Sequence, residues 1–158
     1  VELICRKFRD NWVDGAVVRH RKGACTARGI GELRGSPYEW FGEPVILPGS
    51  MGDGSWLLRG TGNPAGMASS AHGAGRKLSR QEATAVGQIE SGIRVVGPVD
   101  LADQRFRSRP DILREASARL NEEAPSAYRP VEQVVNPMAE AGLVEKVARI
   151  RPVLTVKG

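Results

Sequence analysis

Two histidines occur in the chain, His20 and His72, and their surroundings differ. His72 lies in Ser69-Ser-Ala-His72-Gly-Ala-Gly75-Arg76, between small residues that let a bulky substrate approach the imidazole closely. A neutral imidazole can attack phosphorus and form a phosphoramidate, and Arg76 stands where a guanidinium could neutralise a phosphate. The bland alternative is a turn histidine. His20, before Arg21-Lys22-Gly23, reads instead as a strand-end residue in a basic patch. A second cluster, Pro48-Gly-Ser-Met-Gly-Asp-Gly-Ser55, offers hydroxyls and turn N–H groups to a phosphate or a base edge. It serves equally as a hairpin connection, and both readings can hold together.

The elements that must position these residues follow from pattern. Glycine supplies 19 residues, concentrated between Gly15 and Gly97, so residues 1–97 read as short strands joined by tight turns. Strands are predicted at Ala16–His20, Val45–Leu47, Ser55–Arg59 and Ile93–Val96, with Gly29–Gly42 a surface excursion. Ser79-Arg-Gln-Glu82 is a capping box opening a helix to about Gln88, so the glycine loop ends on a helix N-terminus. Ser108 with Pro110 predicts a helix over Asp111–Asn121, with Ile112, Leu113, Ala116 and Leu120 on one face. Val131–Ala141 is a further helix weakened at Pro137. Val147–Val156 is a closing strand, with Pro152 marking a bend or edge. No internal repeat or low-complexity linker is visible, and the fold class is α+β in one unit.

Composition narrows the function. The 158 residues carry 41% hydrophobic and 26% charged side chains, an ordinary globular balance. Apolar runs such as Val45–Leu47 and Val153–Leu154 are far too short to span a bilayer, and no secretory signal opens the sequence, which predicts a cytoplasmic protein with no membrane partner. The net charge of +5 is uneven: residues 1–34 hold 8 basic and 4 acidic groups, residues 35–75 hold 1 and 3. A basic segment before a nearly uncharged glycine-rich centre suits an anion path into a neutral pocket, or simply a solvated basic face. Cys5 and Cys25 lack metal-ligand spacing and read as small apolar residues in a reducing compartment. No GxxxxGK[ST], HExxH or GxSxG occurs. Gly60-Thr-Gly62-Asn-Pro-Ala-Gly66 only approximates a dinucleotide fingerprint.

Taken in order, three segments stop being generic: His20-Arg-Lys-Gly-Ala24, Leu47-Pro-Gly-Ser-Met-Gly52, and Ala71-His-Gly-Ala-Gly-Arg76 with Ser79-Arg80. Glu122-Glu-Ala-Pro-Ser-Ala-Tyr128, Arg151-Pro152 and the terminal Val156-Lys-Gly158 follow. The set closely resembles the C-terminal part of the RtcB family of GTP-dependent RNA-splicing ligases, which join a 3′-phosphate or 2′,3′-cyclic phosphate to a 5′-hydroxyl in tRNA splicing and RNA repair. The resemblance spans nearly all of residues 15–158. It implies that His72 is the nucleophile carrying GMP, and that Pro48, Gly49, Ser50, Met51, Ser55, Gly73, Ala74 and Gly75 bind the guanylate. It also implies that Lys157 contacts the nucleotide, with Tyr128 beside it. Arg76, Arg21 and Lys22 are the candidates for phosphate or RNA-backbone contacts. Manganese is implied as well, with ligands mostly outside this sequence. The family's upstream His-Asn pair is absent, because that region reads Leu3-Ile-Cys5-Arg-Lys-Phe-Arg-Asp-Asn11. Gly29–Pro44 is also longer than the resemblance leads one to expect. Together with a start at Val1, these departures predict an RtcB-like catalytic domain lacking its N-terminal metal-binding part and inactive alone. The alternative is a truncated or decayed paralogue that binds RNA or guanine nucleotide without catalysis.

Overall fold

Alternation of apolar and exposed residues builds the central sheet. In the computed structural model, which describes residues 20–86, 95–97, 99, 103–106 and 108–156, β2 (Pro44–Pro48) turns Val45 and Leu47 inward and Ile46 outward. It pairs antiparallel with β3 (Ser55–Gly60), Val45 opposite Leu58 and Leu47 opposite Trp56. The strands therefore form a hairpin whose connection is the Gly49–Gly54 segment. β6 (Val144–Ile150) completes a three-stranded antiparallel sheet on the other edge of β3. A bulge between Leu57 and Leu58 pairs them with Ala148 and Lys146, leaving Val147 between.

One face of this sheet is covered by α3 (Val131–Glu140), whose Val131 and Val135 are fully buried. They meet Val45, Leu47, Leu58, Val144, Ala27 and Ala74 in the core, with Trp56, Val134 and Met138 packed around it. Ala27 and Ala74 tie the core to a second, two-stranded sheet. Its strands β1 (Ala24–Thr26) and β4 (Ser69–Ala71) pair antiparallel, Ala24 opposite Ala71. The segment between β1 and β2 has no helix or strand and runs through turns and bends over residues 30–41, the excursion expected from its glycines and aromatics. After β4 come α1 (Arg80–Val86) and the short β5 (Val95–Val96). α2 (Pro110–Glu122), packed against α1, follows. β5 pairs in parallel with β7 (Thr155–Val156). The class is α+β, as the pattern indicates.

Several expectations need correcting or fall outside the described residues. The closing strand is two strands, Val144–Ile150 and Thr155–Val156. They separate around Pro152, which has no N–H to give a ladder. α2 is preceded by Arg109 rather than capped by Ser108: Arg109 makes no side-chain cap bond, Pro110 takes the first helical position, and the Arg109 guanidinium pairs with Asp111 at 2.8 Å. Of the strand expected at Ala16–His20, only His20 is described, and it is not in a strand. Cys5, Lys157 and the last residues of the helix expected to end near Gln88 also lie outside the described residues. Among the described residues no helix is long and apolar enough to cross a membrane.

Candidate functional site

β4 delivers His72. The strand ends at Ala71 opposite Ala24, and the His72 backbone N–H donates to the Gly23 carbonyl at 3.2 Å. The imidazole is exposed, directly beside the turn that holds Arg21 and Lys22. From here the chain crosses the end of the hairpin. Ala74 N–H donates to the Pro48 carbonyl at 2.9 Å, and Gly73 passes so close that a Cβ there would lie 3.5 Å from the same oxygen. The two glycine clusters, far apart in sequence, are thus joined by a backbone hydrogen bond.

The Pro48–Ser55 connection is held as tightly from its own side. Gly49 N–H donates to Gly54 O at 2.8 Å, and a Cβ on Gly49 would fall 2.1 Å from that oxygen, so only glycine fits. Ser50 O accepts from the N–H groups of Asp53 and Gly54. Ser50, Met51 and Ser55 are half-buried on the turn. Asp53 was not expected from sequence, yet its carboxylate accepts the Val131 N–H at the start of α3. That helix has Pro130 at its N-cap and no side-chain cap of its own, so a distant acid supplies the acceptor. Arg149 of β6 reaches the same carboxylate at 3.5 Å and also lies 3.5 Å from Glu132, which accepts the Trp56 indole N–H at 3.0 Å.

On its far side the loop is stitched to residues 127–129. Gly75 adopts φ +74° and its carbonyl accepts the Arg129 N–H at 3.0 Å. Arg76 and Tyr128 form an antiparallel bridge, and Lys77 and Leu78 both donate to the Ala127 carbonyl. The Ser79 hydroxyl and Glu82 carboxylate then exchange bonds with each other's backbone N–H at 3.2 and 2.8 Å, the capping box read from sequence.

The arginines divide by what they already hold. Arg76 donates to Leu78 O at 3.2 Å, Glu122 O at 2.6 Å, Tyr128 Oη at 3.1 Å and Glu123 Oε1 at 3.4 Å, and its guanidinium lies 5.0 Å from the Tyr128 ring centre. Four of its N–H groups are occupied within the protein, so its geometry is that of a strut under the loop. Arg21 bonds Ser69 Oγ at 2.8 Å and Met67 O at 3.2 Å, bracing β4 from its start. Lys22 is exposed. Tyr128 donates its hydroxyl to the Glu123 carboxylate; burial first, and then that carboxylate, push its phenol above the ordinary range.

Cys25 faces Ser70 across β1 and β4, its thiol pushed up mainly by burial, in keeping with a small packing residue. Among the described residues no three His, Cys, Asp or Glu side chains come together as a metal-holding group. The described site therefore does not fit manganese on its own. What it does supply is an exposed imidazole on a small-residue loop, against a hydroxyl-bearing turn, with cationic side chains at the rim. That arrangement can receive a phosphate ester and attack it.

Comparison with known proteins bears on this same region. The family model described as tRNA-splicing ligase RtcB matches residues 5–158. Proteins named tRNA-splicing ligase RtcB are similar to 96% of the chain: 40% identical over 159 residues in Pyrococcus horikoshii, 38% over 162 in Nanoarchaeum equitans and 35% over 161 in Methanococcus maripaludis. The aligned part is 17%, 31% and 31% of those relatives, so the chain spans less than a third of their length.

Proposed function

The chain belongs to the tRNA-splicing ligase RtcB family, and from that premise we propose that it carries the nucleophile and part of the guanylate pocket of a cytoplasmic, GTP-dependent RNA ligase. The observation that supports this most is the Ala74–Pro48 hydrogen bond, which sets the His72 loop against the Pro48–Met51 turn. Family membership gives that junction a chemistry.

In this reading His72 uses a ring-nitrogen lone pair to attack the α-phosphorus of GTP. The N–P bond forms, the α–β P–O bond breaks, and its electrons leave with pyrophosphate. The imidazole's other N–H loses its proton to solvent, and GMP stays on His72 as a phosphoramidate. An oxygen of the RNA 3′-phosphate then attacks the same phosphorus; the new O–P bond forms as the N–P bond breaks, and His72 leaves as neutral imidazole after taking a proton back from solvent. The 5′-hydroxyl attacks that activated phosphate, loses its proton and displaces GMP, leaving a phosphodiester. The Gly73–Gly75 backbone lets nucleotide reach the ring, while Ser50, Met51 and Ser55 line the neighbouring turn. Tyr128 helps hold Arg76 and the loop, with Lys157 the closing contact to the nucleotide. Arg21 and Lys22 flank the approach of the anionic RNA. Manganese, when bound by the parent protein, would neutralise phosphate charge; its ligands are assigned to sequence beyond this chain. The 158 residues alone are accordingly expected to be inactive.

The test is transfer of label from GTP carrying it on the α-phosphate, in the presence of Mn²⁺. The longer protein containing this chain should gain an acid-labile label that His72→Ala abolishes. Equal labelling of that variant would overturn the nucleophile, and equal labelling of the 158-residue chain alone would overturn its dependence on further sequence.

A further inference from the structure

We propose that Arg129 is a phosphate-gripping residue of this site, reaching over the His72–Gly75 loop to hold a phosphate group of the nucleotide or of the RNA end. The inference rests on the ligase reading above and deepens it. Arg129 was not among the residues singled out by sequence. Its backbone is fixed on both sides: its N–H donates to Gly75 O at 3.0 Å, and Pro130 begins the approach to α3, whose first N–H is held by Asp53. Tyr128, just before it, is locked in the bridge with Arg76.

The side chain, by contrast, is uncommitted. It is exposed and makes no side-chain hydrogen bond or ion pair among the described residues. The nearby acids are taken: Glu123 by Arg76 and Tyr128, and Glu122 by Arg80 at 3.8 Å. A Cβ built on Gly75 would lie 3.4 Å from Arg129 Nη1 and within 4 Å of nothing else described. The guanidinium therefore borders open space at the loop that presents His72. A planar fork with a fixed root and free donors, set against the glycine three residues after His72, is suited to bidentate phosphate binding. Arg76 cannot serve in the same way without giving up bonds that hold the loop.

The experiment is calorimetric titration of the longer protein containing this chain, as wild type and as its Arg129→Gln and Arg129→Lys variants. The probes are inorganic pyrophosphate, GTP, and an RNA oligonucleotide ending in either a 3′-phosphate or a 3′-hydroxyl. Because the side chain has no hydrogen-bond or ion-pair partner among the described residues, both variants should keep the wild-type denaturation midpoint. Pyrophosphate affinity should fall at least about tenfold in Arg129→Gln and less in Arg129→Lys. A matching loss on GTP assigns the gripped phosphate to the nucleotide. Loss of the preference for 3′-phosphate over 3′-hydroxyl RNA assigns it to the RNA end. Arg129-dependent pyrophosphate binding with no tighter binding of GTP supports Arg129 and overturns the guanylate pocket. Tight GTP binding equal in all three proteins does the reverse. Unchanged affinities for every probe, or a wild-type chain that binds none of them, overturns the proposal.

Discussion

Asp53 links the hairpin turn to the helix under the sheet, and replacing it should loosen both. In Asp53→Ala the Val131 N–H loses its acceptor while Val131 remains fully buried. Pro130 at the N-cap has no side-chain acceptor to put in its place. Losing a cap typically costs about 1 kcal/mol, and leaving a buried donor unsatisfied about 1–3 kcal/mol; the two overlap and are not summed. Losing a carboxylate from the helix N-terminus adds roughly 0.3–1 kcal/mol. The Arg149 contact at 3.5 Å is partly exposed and adds well under about 1 kcal/mol. The expected loss is therefore about 2 kcal/mol. With a urea dependence of roughly 2 kcal/mol per molar, the midpoint should drop by about 1 M. Asp53→Asn keeps a carbonyl acceptor and should lose less than half as much. A midpoint for Asp53→Ala within about 0.2 M of wild type, or equal losses for the two variants, refutes the reasoning.

Three further outcomes follow from close contacts and charge. Glu43 accepts from Arg28 Nε, Nη2 and backbone N–H and from Thr26 Oγ1. The Arg28 side chain is the chief cause of a carboxyl held at about 2, against an ordinary 4.5. A depressed folded value means its stabilisation is complete above 4.5 and drains as pH falls toward 2. Urea midpoints measured across that window should fall less steeply in Glu43→Gln than in wild type. Gly60→Ala puts a Cβ 2.4 Å from the Ala27 carbonyl carbon, a backbone collision that should prevent native folding as read by circular dichroism. Gly73→Ala meets only Pro48 at 3.5 Å and should fold normally, so any loss of guanylyl transfer there reports on access to His72.

What was legible in the sequence was local. The β2–β3 hairpin shows itself because alternation in Val45–Leu47 and a glycine turn specify it within a dozen residues. The Ser79–Glu82 box is visible because its two partners are three residues apart. β1 and β4 were not visible: Ala-Cys-Thr and Ser-Ser-Ala have no alternation and become strands only because they pair with each other. The cap of α3 was hidden for the same reason, its acceptor lying 78 residues away in a turn that looked like a ligand loop. Pro152 was visible, but whether it bends a strand or divides it depends on which edge each half finds: β3 for Val144–Ile150 and β5 for Thr155–Val156.

The site follows the same logic, and the arginines show why. The small residues around His72 are legible because the room beside an imidazole is a property of adjacent residues. Which cation stays free near it is not, because that depends on which donors the fold has already used. Arg76 was the natural candidate, being next to Gly75 in sequence, yet Glu122, Glu123, Tyr128 and Leu78 occupy it. Arg129 stands 54 positions after Gly75 in the sequence and is brought to that glycine by one backbone bond, with its side chain exposed. Buried ends of an ion-pair network rigidify a loop; an unpaired arginine on a rigid root is what remains to meet an anion. The net charge of +5 is therefore a poor guide to where a phosphate would bind, since it does not say which of the 23 Lys and Arg side chains are already paired with acids. The cation left free to meet an anion is the one whose neighbours have already neutralised each other.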